Sequence, residues 1–302
     1  MTSVQRIVSV AAGELSEAVR SRRAVMTVIV FLAASALMMY GVTALVSLLE
    51  VEVARTLQLE PGSGTGSVAN TLWKSVPFRR IVKGALKDPL LFEAVQHRHP
   101  LELLYAFFVF AYVPILAVLT AGGRLSEELE SGAVRFQLLR VRRHEWVLGR
   151  WLGQCLLQLP ALFMGALVAY VFLAWRMPQG DVLRLFPALC MWSFRAWFLL
   201  VSWLGLAMGV SMLTHSQTKA SSWGFLLVVI FTILPRRMYV WAALGGVRGW
   251  LVHFADFFPV ALTPGLWEPS WACCSAAALR LVLQSLFYLS IGYFFCSRRD
   301  VR

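Results

Sequence analysis

Six apolar blocks recur along this chain with polar residues between them: Ala24–Leu49, Leu101–Ala121, Trp151–Trp175, Ala188–Leu213, Ala220–Pro235 and Ala272–Cys296. A helix rising 1.5 Å per residue needs about 20 such residues to cross a hydrocarbon core about 30 Å thick. Lipid offers no hydrogen bonds, so each block must satisfy its own backbone as a helix. The fifth block reaches only ~24 Å before Pro235. The pattern therefore predicts a break there, with Arg236 and Arg237 at headgroup depth, rather than one helix running to Trp241. Pro114 and Pro160 interrupt the second and third blocks. Arg195 lies near the outer end of the fourth, within snorkelling reach of the headgroups.

Two segments alternate at helical rather than block spacing. In residues 1–23, Val4, Ile7, Val8, Ala11, Leu15 and Val19 form one stripe, with Arg6, Glu14, Glu17 and Arg20 off it. This predicts a helix lying in the membrane interface, closed by the basic Arg20-Ser21-Arg22-Arg23. From Gly122 to Gln154, Leu125, Leu129, Ala133, Phe136 and Leu139 recur at three- and four-residue steps. Arg124, Glu127, Glu128, Glu130 and Arg135 fill the other positions, so an amphipathic helix is expected. Gly132 costs that helix about 1 kcal/mol against Ala, which predicts a bend or a close backbone contact. A basic patch follows at Arg140, Arg142 and Arg143.

Composition agrees with the blocks. Apolar residues make up 59%, charged residues 15%, and the mean hydropathy is +0.68, the profile of a polytopic membrane protein. A net charge of +12 on a soluble protein would suggest nucleic acid. Here the basic residues flank apolar blocks, where they meet anionic headgroups, so membrane lipids and not nucleic acid are the expected partners. The five cysteines show no zinc spacing and are read as packing residues.

Residues 50–100 form the one long polar insertion, with a flexible Pro61–Ser67 linker and room for short helices from Trp73 to His99. Placing the N-terminus inside puts Arg6, Arg20, Arg22, Arg23, the six arginines from Arg124 to Arg150, Arg298 and Arg299 on the inner side. The long insertion carries seven basic residues, but loops of that length translocate largely regardless of charge.

Candidate chemistry is sparse. There is no phosphate-binding Gly-x-x-x-x-Gly-Lys-Ser/Thr, no His-Glu-x-x-His and no Gly-x-Ser-x-Gly. His97 and His99 do not share a helical face, and no further ligand completes a metal set. Neither a catalytic constellation nor a cofactor or metal site is expected. A carrier driven by protons or sodium would place ionisable groups near mid-membrane, and none is evident. A membrane-embedded enzyme, or a structural or assembly subunit of a larger complex, is the alternative reading.

The order Glu128-x-x-x-Gly132, Leu138-Leu139, Arg143 and then Gly149-Arg150 resembles the signature loop of ABC-2 type transporter permeases. Ala133, Arg140 and Arg150 stand where that family carries Thr, Pro and Lys. Glu14-Leu15 with its basic cluster, and the closing Arg298-Arg299-Asp300, are further points of likeness. The resemblance implies an all-α membrane protein with six transmembrane helices, forming a single domain over residues 1–302. Its parts would be an interfacial elbow helix (1–23), an extracytoplasmic loop (50–100), a cytoplasmic coupling loop (122–150) between spans two and three, and a cytoplasmic tail (297–302). It further implies the permease subunit of an exporter in the cytoplasmic membrane of a prokaryote, with both termini cytoplasmic. Its partners would be a second permease chain and a separate ATPase that carries the ATP and magnesium. Glu127, Glu128, Gly132, Phe136, Arg143, Gly149 and Arg150 would form the contact with that ATPase.

Overall fold

The structure, a computed structural model, describes residues 2–20, 22–57, 98–176, 182–214, 216–243 and 250–298. Among these residues every regular element is helical. The order is α1 (Ser3–Arg20), α2 (Arg22–Leu57), α3 (Pro100–Ala121), α4 (Arg124–Glu130), α5 (Ala133–Leu138), α6 (Arg143–Arg176), α7 (Val182–Leu213) and α8 (Gln217–Ala243). Then come α9 (Leu251–Ala255), a 3-10 turn (Pro259–Leu262), α10 (Thr263–Trp267) and α11 (Trp271–Ser297).

Among the described residues five helices are long and apolar enough to cross a membrane, and they carry five of the six expected blocks. The first block lies in α2, whose described apolar stretch is Val25–Gly41. That helix continues through Leu57, so the opening residues of the expected loop at 50–100 are helical. Most of that loop, with its Pro61–Ser67 linker and His97, lies outside the described residues. His99 has a role other than metal binding. Its Nδ1 accepts from the Leu101 backbone N–H at 3.3 Å and caps α3, where Pro100 has no N–H that needs an acceptor. Burial keeps the imidazole below its usual pKa, which preserves the unprotonated acceptor.

The helix α7 is the centre. It packs against α3, α6 and α11, and 83% of its apolar window is buried, against 11% for α8. The α7–α11 crossing is close because Gly209 and Gly292 face each other. A Cβ on Gly292 would sit 2.6 Å from the Gly209 carbonyl oxygen. Ser285 Oγ ties the same crossing by donating to Val201 O at 2.7 Å.

Two expectations about the spans are corrected. The fifth helix does not break: α8 runs unbroken through Pro235, Arg236 and Arg237 to Ala243, with both arginines exposed. Proline removes one donor, whereas a broken helix in lipid would orphan several backbone groups at once.

Nor does Arg195 snorkel. It is buried, and its Nη1 donates to Leu266 O at 2.9 Å and Glu268 O at 3.0 Å. Its guanidinium also lies 5.3 Å from the Trp192 ring and 5.5 Å from Trp271. Within residues 250–270, α9, the 3-10 turn and α10 pack against α7, α8 and α11. The carbonyls at the C-terminal end of α10 then replace headgroups as the partner of the charge.

Filling the α7–α11 contact tests the central crossing. Gly292→Val should destabilise the purified protein by about 1–3 kcal/mol through overpacking. Gly41→Ala, inside α2 where a Cβ meets nothing within 4 Å, should not lower the melting temperature and should raise it slightly through helix propensity. Equal melting curves for the two variants would contradict the crossing.

Candidate functional site

The connection between α3 and α6 is two short helices, not one. Gly132 adopts φ +71°, a left-handed conformation that side-chain-bearing residues rarely take, and this separates α4 from α5. The predicted bend is present, and nothing lies within 4 Å of where a Gly132 Cβ would point, so close approach is not its reason. Leu125 and Val134 are buried, while Phe136 and Leu139 are 76% and 83% exposed. The expected single apolar stripe is thus split by the bend into an inward and an outward part. The Ser126 backbone N–H donates to Ser211 Oγ at 2.9 Å, anchoring α4 to the end of α7.

Behind α4 lies a buried ionic cluster that joins three elements remote in sequence. Glu14 of α1 is 1% exposed. It accepts from Arg124 (Nη2 at 3.1 Å), from Arg150 Nη1 and from Gln154 Nε2. Arg150 also pairs through Nη2 with Glu128 Oε1 at 2.6 Å and donates through Nη1 to Glu17 at 2.9 Å. Trp146 Nε1 donates to Glu128 Oε2 at 3.2 Å. Three carboxylates therefore face two guanidiniums. The carboxylate oxygens of Glu14, Glu17 and Glu128 lie within 4.8 Å of one another, a spacing that suits a divalent cation. Arg124 and Arg150 already supply the positive charge, so the chemistry of the cluster is that of a structural clasp.

The clasp depends on how closely α1 lies against α6. A Cβ on Gly149 would stand 2.6 Å from Val10 Cβ and 2.9 Å from Ile7 O. At Gly153 it would stand 2.7 Å from Glu14 Cβ. The buried face of α1 is accordingly Ala11, Glu14 and Ala18, while Val4 and Val8 are exposed. The expected apolar stripe is rotated, because it is Val10, Ala11 and the paired carboxylate of Glu14 that meet the glycine surface.

The seven residues expected to act together divide into groups. Glu128, Gly149 and Arg150 belong to the buried clasp. Glu127 and Phe136 are exposed, and Gly132 is the bend. Arg143 stands apart at the start of α6, where its Nη1 donates to Ser297 O at 3.1 Å and caps α11. Glu127 and Glu128, grouped together in the expected contact, do not share one outward face, since the turn of α4 directs Glu128 toward Arg150. Glu14, Glu17, Arg124, Trp146 and Gln154 complete the site without having been singled out as site residues. Their signal was the i, i+3 carboxylate pair on α1, charge set on the wrong side of an apolar stripe.

Removing Arg150 should leave Glu14 and Glu128 buried without a main partner. We expect Arg150→Met to cost about 3–5 kcal/mol. Adding Glu14→Met to that variant should cost little more, because the two act through one interaction. Melting curves of the single and double variants give the coupling, and simply additive losses would sink the clasp.

A family model described as ABC-2 family transporter protein matches residues 8–245, most of the chain. No curated protein matches the chain at a significant level. The matched segment contains the clasp, the α4–α5 connection and the helices from α2 to α8. The chain belongs to the ABC-2 transporter family and is a membrane-spanning permease component of an ABC transporter.

Proposed function

We propose that this permease is driven by a separate ATPase subunit that docks on the outward side of α4 and α5. The observation that carries this is the exposure of Phe136 and Leu139 beside the connection between two candidate spans, on helices braced from behind by the clasp. Exposed aromatic and aliphatic side chains on a braced surface suit a protein contact. In this reading Phe136 and Glu127 touch the ATPase, and Gly132 sets the angle of α5. Glu128, Gly149 and Arg150 act one layer behind, carrying displacement from the contact into α1 and α6. ATP and magnesium bind the ATPase, not this chain.

In this reading α2 is the first of six spans, and both termini and the α4–α5 connection lie in the cytoplasm of a prokaryotic cell. A second permease chain, identical or related, completes the pathway, and the direction is export. The energetic requirement is that the ATP-closed ATPase binds one conformation of the permease better than the other.

Burying a Phe contributes about 1.5–3 kcal/mol. Phe136→Asp should therefore weaken capture of the ATPase at least tenfold and abolish transport, at unchanged membrane insertion and melting temperature. Co-purification and stimulated ATPase activity are the readouts. Unaltered capture by this variant and by Glu127→Lys would remove the coupling assignment.

A further inference from the structure

Beside the α4–α5 connection, and separate from the clasp, an open groove of about 610 Å³ is lined by Arg6, Arg140, Arg142, Arg143, His144 and Tyr293. Four guanidiniums and an imidazole gather there, and the neighbouring carboxylate, Glu145, is already engaged. It pairs with Arg6 at 3.5 Å and accepts from the Arg142 backbone N–H at 2.9 Å. The side chains of Arg140, Arg142 and His144 are exposed and have no carboxylate partner among the described residues. The charge count is therefore strongly positive.

The depth of the groove is set by the spans that meet in it. Arg143 opens α6 and reaches Ser297, which ends α11, so both helices reach this level together. Their 34 and 27 residues make helices of about 50 and 40 Å, longer than a hydrocarbon core of about 30 Å. Helices of this length overhang the core, and Arg143, His144, Glu145 and Arg150 at the start of α6 make this end the polar one, suited to the headgroup layer. Tyr293 lies one turn inside the end of α11, where an aromatic ring is at home at the interface. Leu138, Leu139 and Val141 supply the remaining wall, so the groove is cationic on one side and apolar on the other.

We propose that this groove is a binding site for the headgroup of an anionic phospholipid. The guanidiniums of Arg140, Arg142 and Arg143 hold the phosphate, and the glycerol and first acyl carbons lie along the leucine wall and Tyr293. Arg matches phosphate geometry better than Lys because its planar fork offers two parallel donors. A soluble anion would have no use for the apolar wall, and the acidic surface of a protein would not need the groove to lie at headgroup depth. The site borders the proposed ATPase surface at Leu139, but Arg140 and Arg142 lie outside that contact, so variants of Phe136 and of this arginine pair separate the two.

The full-length chain, purified in detergent, is titrated with dioctanoyl phosphatidylglycerol, dioctanoyl phosphatidylcholine and inorganic phosphate, and bound ligand is read by native mass spectrometry. Phosphatidylglycerol should bind best. Arg140→Gln with Arg142→Gln should weaken it about thirtyfold, equivalent to about 2 kcal/mol at 1.4 kcal/mol per tenfold. Arg140→Lys with Arg142→Lys should retain part of the affinity and shows that the fold tolerates change there. Arg20→Gln with Arg22→Gln, an equal loss of charge at exposed positions outside the groove, should weaken binding far less, within about threefold. Equal losses from the two glutamine pairs would reduce the site to diffuse attraction and overturn it. Phosphatidylcholine or inorganic phosphate binding as tightly as phosphatidylglycerol would overturn the headgroup. Unchanged lipid binding with lost ATPase capture would assign the groove to the ATPase instead.

Discussion

A carboxylate at 1% exposure on an amphipathic helix has to be compensated, and Glu14 determines much of one end of this molecule for that reason. Taking an ion out of water costs several kcal/mol, and only close, well-directed partners offset it. Those partners are Arg124 on α4 and Arg150 and Gln154 on α6, so burial of one side chain fixes α1, α4 and α6 relative to each other. The glycines at 149 and 153 permit the approach, because any Cβ there would collide with α1. Neither the glycine surface nor the ion pairs would hold α1 alone. The first has little apolar area to bury, and the second would be weak if water reached it.

The same constraint decides what can move. With Glu128 on Arg150 and Ser126 on Ser211, a displacement of α4 is transmitted into α6, into α1 and into the end of α7. Since α7 packs on α3, α6 and α11, motion arriving at its end reaches most of the bundle. Gly132 lies just beyond the clasp, so α5 can change angle without breaking it. At the opposite end Arg195 plays a comparable part, tying α7 to α10 through carbonyls that helix geometry leaves without partners. Close-packed interiors pass such shifts on rather than absorb them.

The spans were legible in the sequence because the requirement behind them is local: backbone in lipid must be helical, and a run of apolar residues shows it directly. The Gly132 bend was legible for a similar reason. What escaped depends on contacts between distant segments. Pro235 and the two arginines after it look like a stop, yet α8 continues because helix is the cheapest way to satisfy backbone in lipid. Arg195 looked like a snorkelling side chain until the return of α10 supplied its acceptors. Glu128 was read as outward because charge on an amphipathic helix usually faces water. Its true environment required Arg150, eighteen residues beyond Gly132, to fold back beneath it. The resemblance pointed to Glu128, Gly149 and Arg150 together, but a signature gives residues without saying which of them face a partner and which brace the surface behind it.

Exposure carries different meanings on different parts of this protein. The outward faces of α8 and α11 present Trp223, Val229, Ile233, Leu279, Leu283 and Phe287. Lipid tails satisfy such side chains as well as another protein would, so their exposure at membrane depth implies no partner. Phe136 and Leu139 differ because α5 lies beyond the apolar stretches, between the end of α3 and the start of α6. Phe136, which is not part of the lipid groove, lacks a covering partner in water, and the left-handed Gly132 sets the angle of α5 that displays it. A backbone conformation that keeps apolar side chains in solvent, on a base made rigid by five charged residues, is the arrangement expected of a surface that spends part of its cycle covered.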